Sequence, residues 1–223
     1  MRGAAMWRRL LLEILADELT EPRIVVDLGG GTGGLAATLA GQGHRVSVVD
    51  PSPDSLAAVE RRAAEAGLQD RLTARQGDAS TLSTELPAGS VDLILCHDVL
   101  EFVDSAEAAV HSIAQVLRPG GTVSLLTAQR YPRAITHAAA GDFAGAQQVF
   151  TDQRLPDPAR AQALLTDAGL QIRARHGLGL AAGQLSEDSV ESRPDDVLAL
   201  ERLLAADPAL LPAAPRLHLV AVR

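Results

Sequence analysis

The chain has 223 residues, 47% hydrophobic and 22% charged, which fits a globular domain and excludes a disordered, collagenous or coiled-coil chain. Net charge is −8 and all 20 basic residues are arginine, which excludes a catalytic or P-loop lysine and a broad basic face for duplex nucleic acid. The lone Cys96 excludes a disulfide framework or cysteine zinc site. No apolar run nears the roughly 20 residues of a membrane span, and Glu13 and Asp17 interrupt the apolar start, so a cytoplasmic protein without membrane contact is expected.

Residues 1–22 read as an N-terminal helical segment, opening with Trp7, Arg8 and Arg9. Residues 23–28 are a buried strand running into glycines, and 33–42 a helix stopped by Gly43. Residues 45–50 are a second strand. Pro51-Ser52-Pro53-Asp54 forms a turn and N-cap for a helix reaching Gly67. Strands follow at 72–76 and 91–96. Ser105 caps a helix to Leu117, Arg118-Pro119-Gly120-Gly121 stops it, and 122–127 is a fifth strand. After Thr127 the rhythm changes. Residues 129–157 are irregular, Pro158 starts a helix to Gly169, and 170–176 is a strand. Residues 177–194 are loop-like, 195–206 helical, and 217–222 a last strand. Strands and helices alternating over such short connections predict one α/β domain over 1–223, with a parallel sheet covered by helices on both faces. The loops 129–157 and 177–194 are expected to cover the active site.

Three motifs carry chemistry. In Asp27-Leu28-Gly29-Gly30-Gly31-Thr32-Gly33 the glycines lie between strand and helix, where backbone approaches a ligand closely; a plain turn explains one glycine but not four. Asp50 ends the second strand, 17 residues beyond Gly33, where an acid accepts hydrogen bonds from ribose hydroxyls; the alternative is an N-cap. Asp78, in Gly77-Asp78-Ala79, is either an acceptor for an adenine amine or an ordinary surface aspartate.

In this order the motifs resemble a class I S-adenosylmethionine-dependent methyltransferase. The likeness runs from about Arg23 to Arg223 and includes Asp92-Leu93-Ile94-Leu95-Cys96-His97 and Leu117-Arg118-Pro119-Gly120-Gly121. It implies a Rossmann-like, doubly wound, seven-stranded and mostly parallel sheet with an antiparallel last strand. It implies S-adenosylmethionine as cofactor. Asp27, Gly29, Gly30, Gly31 and Gly33 would surround its methionine part, Asp50 and Pro51 its ribose, and Asp78 with Ala79 its adenine. A closer likeness, through His97-Asp98-Val99-Leu100-Glu101-Phe102, Ala140-Gly141-Asp142-Phe143 and Leu217-His218-Leu219-Val220-Ala221, is to the tRNA carboxymethoxyuridine methyltransferase family, which methylates the carboxylate of a wobble uridine. The chain departs from it in a short N-terminal segment, in the small apolar Gly177-Leu178-Gly179-Leu180 stretch and in its acidic charge. A metabolite methylated on oxygen or nitrogen is the alternative acceptor, and a cofactor-binding non-enzyme the third reading.

Methyl transfer is an in-line displacement that depends on position and a dry site. His97, just past strand four, is the candidate catalytic residue, as base or substrate hydrogen bond; packing against the cofactor is the alternative. Arg130, Arg133 and Arg154 are candidates for pairing with a substrate carboxylate or phosphate, or else solvated surface charges. His176 and His218 read as structural, His111 as a surface residue and His44 as a turn cap. No histidine or carboxylate pair has helical metal-ligand spacing, so no metal is expected.

Overall fold

A computed structural model describes residues 3–223. Helix α1 (Gly3–Leu15) and a 3₁₀ turn at Ala16–Glu18 precede β1 (Ile24–Leu28), α2 (Gly34–Gly41), β2 (Arg45–Asp50), α3 (Pro53–Glu65) and β3 (Leu72–Gln76). Then come α4 (Leu82–Glu85), β4 (Val91–His97), α5 (Ala106–Val116) and β5 (Leu117–Ala128). Helices α6 (Arg130–Ala139), α7 (Phe143–Thr151) and α8 (Pro158–Asp167) lead to β6 (Gln171–Leu178). The chain ends with α9 (Glu187–Ser192), α10 (Pro194–Ala205), a 3₁₀ turn at Pro208–Ala213 and β7 (Arg216–Val222).

The strands form one seven-stranded sheet in the order β3-β2-β1-β4-β5-β7-β6, mostly parallel, with helices around it. β1 is parallel to both neighbours, with Asp27 opposite Val48 on β2 and Leu95 on β4. Because both faces of such a sheet are covered, its central strands read as near-continuous apolar runs instead of alternating. Four of the five β1 residues and five of the seven β4 residues are accordingly buried. β7 runs antiparallel to β5: Gln129 N donates to the Pro215 carbonyl (3.1 Å), and Gly120 N, nine residues earlier, donates to that of Arg223 (3.0 Å). Two caps match the sequence. Ser52 Oγ accepts from Ser55 N before α3, with Pro53 in its first turn, and Ser105 Oγ accepts from Ala108 N before α5. Each such cap contributes about 1 kcal/mol.

Contacts divide the chain into two compact units. One comprises residues up to Asp17 with 126–163 and 174–219; the other comprises 18–125, 164–173 and 220–223.

Four expectations change. The N-terminal helix ends at Leu15, short of residue 22. β5 starts at Leu117, not after the Pro-Gly-Gly stop, because the Gly120 and Gly121 backbones pair with Arg223 and draw the segment into the sheet. Residues 129–157 are not irregular: α6 and α7 form a helical hairpin in which the Asp142 side chain accepts from Gly145 N to start α7. Residues 177–194 are only partly loop, since β6 reaches Leu178 and α9 lies within the stretch. The turn after Gly179 is held by buried Glu201, whose Oε1 accepts from Ala181 N (2.8 Å) and Ala182 N (2.6 Å).

Candidate active site

The carboxyl ends of β1, β2, β3 and β4 open on one cavity of about 300 Å³, the position where open α/β sheets bind ligands. Gly29 follows β1, Asp50 and Pro51 close β2, Asp78 and Ala79 follow β3, and Asp98 and Val99 follow β4. Phe102, 82% exposed, and Val103 add an apolar wall.

Asp50 organises this cavity. Its Oδ2 accepts from Gly31 N (3.0 Å) and its Oδ1 from Ser52 N (2.9 Å), so one buried carboxylate ties the glycine loop to the start of α3. Each oxygen retains a second lone pair for a donor in the cavity. Asp78 Oδ1 accepts from Ser80 N (2.8 Å) and Ser80 Oγ (2.5 Å), which fixes an otherwise exposed side chain. The loop closes where Gly33 N donates to the Gly30 carbonyl (3.0 Å). Gly31 has φ +54°, and a Cβ there would project into open space.

Of the sequence candidates, Gly29, Asp50, Pro51, Asp78 and Ala79 line the cavity; Asp27, Gly30, Gly31, Gly33 and His97 do not. Gly30 and Asp27 form the layer beneath it, since a Cβ on Gly30 would lie 2.5 Å from Asp27 Oδ2. Asp27 is 4% exposed, and burial, aided by the negative charge of Asp50, raises its pKa to about 7. Gly33 packs on Val59 of α3 and starts α2. His97 ends β4 with Nε2 2.7 Å from Ser124 Oγ, and desolvation of the ring lowers its pKa to about 4.

The arginine candidates lie on or after α6. Arg130 Nη2 pairs with Asp157 (2.8 Å) and donates to the Tyr131 hydroxyl (3.1 Å). Arg154 pairs with Asp152 through both Nε (3.0 Å) and Nη2 (2.8 Å). Exposed Arg133 acts on the same Asp152, helping hold its carboxyl below the usual range. The sequence reading did not place Asp98, Val99, Phe102 and Val103 in the cavity, although Asp98, Val99 and Phe102 stand in the His97–Phe102 stretch already singled out after the fourth strand. Among the described residues no three metal-ligating side chains gather, and no helix is long and apolar enough to cross a membrane.

A family model described as a methyltransferase domain matches residues 26–125. The tRNA 5-carboxymethoxyuridine methyltransferase of Escherichia coli (strain K12) is 31% identical over 199 residues, covering 84% of this chain and 74% of that protein. The chain belongs to the class I S-adenosylmethionine-dependent methyltransferases. Within this family the ubiquinone biosynthesis O-methyltransferase of Xanthomonas euvesicatoria pv. vesicatoria is 30% identical over 158 residues, 69% of this chain and 65% of that one. The geranyl diphosphate C-methyltransferase of Streptomyces coelicolor, solved with S-adenosyl-L-homocysteine, shares the fold: TM-score 0.67 and 19% identity, over 96% of this chain and 77% of that one.

The cavity fits what a methyltransferase needs. Its lining includes Asp50, Asp78 and Asp98 and no basic side chain. The pyrophosphate of a dinucleotide would meet three carboxylates there. A ligand offering ribose hydroxyls, an amine and a positive charge meets complementary acceptors.

Proposed function

We propose that this cavity holds S-adenosylmethionine and that the acceptor is a carboxylate, that of carboxymethoxyuridine at a tRNA wobble position. In this reading Asp78 and Ala79 take the adenine, Asp50 and Pro51 the ribose, and the Gly29–Gly33 loop the methionine part. Asp27 supports that loop from below without touching the ligand. The bound cofactor supplies the electrophilic methyl group on a sulfonium. The chain's own part is to orient and to exclude water. Asp50 fixes the loop and the ribose together, and Phe102 with Val103 form an apolar wall.

The observation that carries the acceptor class is the placement of His97, outside the cavity lining and 2.7 Å through Nε2 from Ser124 Oγ. A hydroxyl of high pKa needs a base matched to neutral pH. His97, with its pKa near 4 and Nε2 engaged by Ser124, is a poor base at pH 7. A carboxylate is ionised at that pH and needs none. The tRNA acceptor rests on the similarity to the Escherichia coli enzyme over 84% of the chain. His97→Gln is expected to keep most of kcat with bulk tRNA as acceptor. A loss of about a thousandfold, restored at high pH, would indicate a required base and refute the carboxylate.

A small metabolite is the second reading, favoured by the 30% identity to the ubiquinone biosynthesis O-methyltransferase over 69% of this chain. Labelled methyl groups appearing in a solvent-extractable fraction of cell extract, and none in tRNA, would select it.

A further inference from the structure

We propose that Asp98 is a specificity-determining residue of the cofactor cavity, its carboxylate facing the sulfonium and setting the preference for the cationic cofactor over the neutral thioether product. This rests on the cofactor reading above. Asp98 lines the cavity directly after β4 and has φ +53°, the one positive φ outside glycine among the described residues. That region is disfavoured for side-chain-bearing residues, and Asp and Asn enter it more readily than most. Both neighbours hold it there. His97 is tied to Ser124, and a Cβ on Gly29 would lie 2.6 Å from Val99 Cγ2, so the Asp98–Val99 turn packs against the glycine loop.

The order of the sheet says which end of the ligand Asp98 meets. The strands run β3-β2-β1-β4 across the cavity and contribute Asp78, Asp50, Gly29 and Asp98 in turn. With strands about 4.8 Å apart, β3 and β4 are separated by about 14 Å, an extended nucleoside plus its amino-acid tail. Adenine at Asp78 and ribose at Asp50 leave the sulfur for the β1 and β4 end. Substrate and product differ there by one positive charge, and a carboxylate stabilises only the charged form.

Asp98→Asn keeps the shape and tolerates the backbone; Asp98→Gly removes the strain altogether. Titration calorimetry of the wild-type chain and both variants with S-adenosylmethionine and S-adenosylhomocysteine tests the idea. The expected result is about tenfold weaker binding of S-adenosylmethionine, with S-adenosylhomocysteine changed by less than about twofold. Equal losses for both ligands, or no loss for either, overturn the role of Asp98 and leave the cavity assignment standing. A wild-type chain that binds neither ligand overturns the cofactor reading itself. If Asp98→Asn does not fold, Asp98→Gly gives the same comparison.

Discussion

Two adjacent glycines of the loop meet very different surroundings. A Cβ on Gly31 meets no atom within 4 Å, whereas one on Gly30 would lie 2.5 Å from Asp27 Oδ2 and 3.1 Å from Val48 Cγ1. Gly31→Val at φ +54° is expected to cost about 1–2 kcal/mol in backbone strain, small against a typical stability of about 5–15 kcal/mol. It should fold and lose binding of S-adenosylhomocysteine, because its branched side chain fills the space over the loop. Gly30→Ala should instead lower the urea midpoint, since overpacking costs about 1–3 kcal/mol. Normal ligand affinity in Gly31→Val would reduce the loop to a plain turn. The glycine cluster was thus legible as a loop, but its two layers were not. Asp27, Gly30 and Gly31 lie close together in sequence, while the turn buries the first, sets the second against it and leaves the third open. Asp98 stands in a stretch singled out in the sequence, but its backbone angle and its place in the cavity were not readable there.

At the scale of elements, strands β1 to β4 and helices α2, α3 and α5 were readable from apolar strands and side-chain caps at Ser52 and Ser105, whereas the one-turn α4 was not. The α6–α7 hairpin was hidden. Pro132 looks like a breaker, yet it sits in the first turn of α6, where no helical N–H is needed from it. Asp142 looks like a turn residue and is a cap. This hairpin bears on the tRNA reading. Arg130 and Arg154 are already paired with Asp157 and Asp152, so reaching a phosphate means exchanging one anion for another. Each newly neutralised phosphate would add roughly 0.7–0.9 to the log–log slope of affinity against salt. The expectation is a shallow slope of at most about two for tRNA measured by fluorescence anisotropy, reduced by about one in Arg133→Gln. A slope of about six would mean a phosphate-binding face outside these three arginines.

Across the whole molecule, buried ionisable groups pull stability in opposite directions with pH. His97, with its pKa lowered to about 4, and His44 and His176, also lowered by burial, prefer to be neutral when folded. Below the unfolded histidine value of about 6.5 the unfolded chain binds more protons, so their contribution is complete above that pH and is lost as pH falls. Asp27 has the opposite sign. Its folded pKa, raised to about 7, makes the folded chain the better proton binder from about pH 4 up to 7. Stability from Asp27 is therefore full at low pH and lost as pH rises through 7. The unliganded protein should be most stable slightly below neutrality and weaken toward pH 8. Asp27→Asn removes the ionisable group under Gly30 and should flatten the alkaline side, leaving the variant more stable than wild type at pH 8 by on the order of 2–4 kcal/mol. Urea unfolding at intervals from pH 5 to 9 measures this directly. Parallel profiles for wild type and Asp27→Asn above pH 6 would mean that Asp27 is ionised throughout that range. In that case the loop sits on a permanent buried charge, and the cavity's preference for a cation would gain a fourth carboxylate.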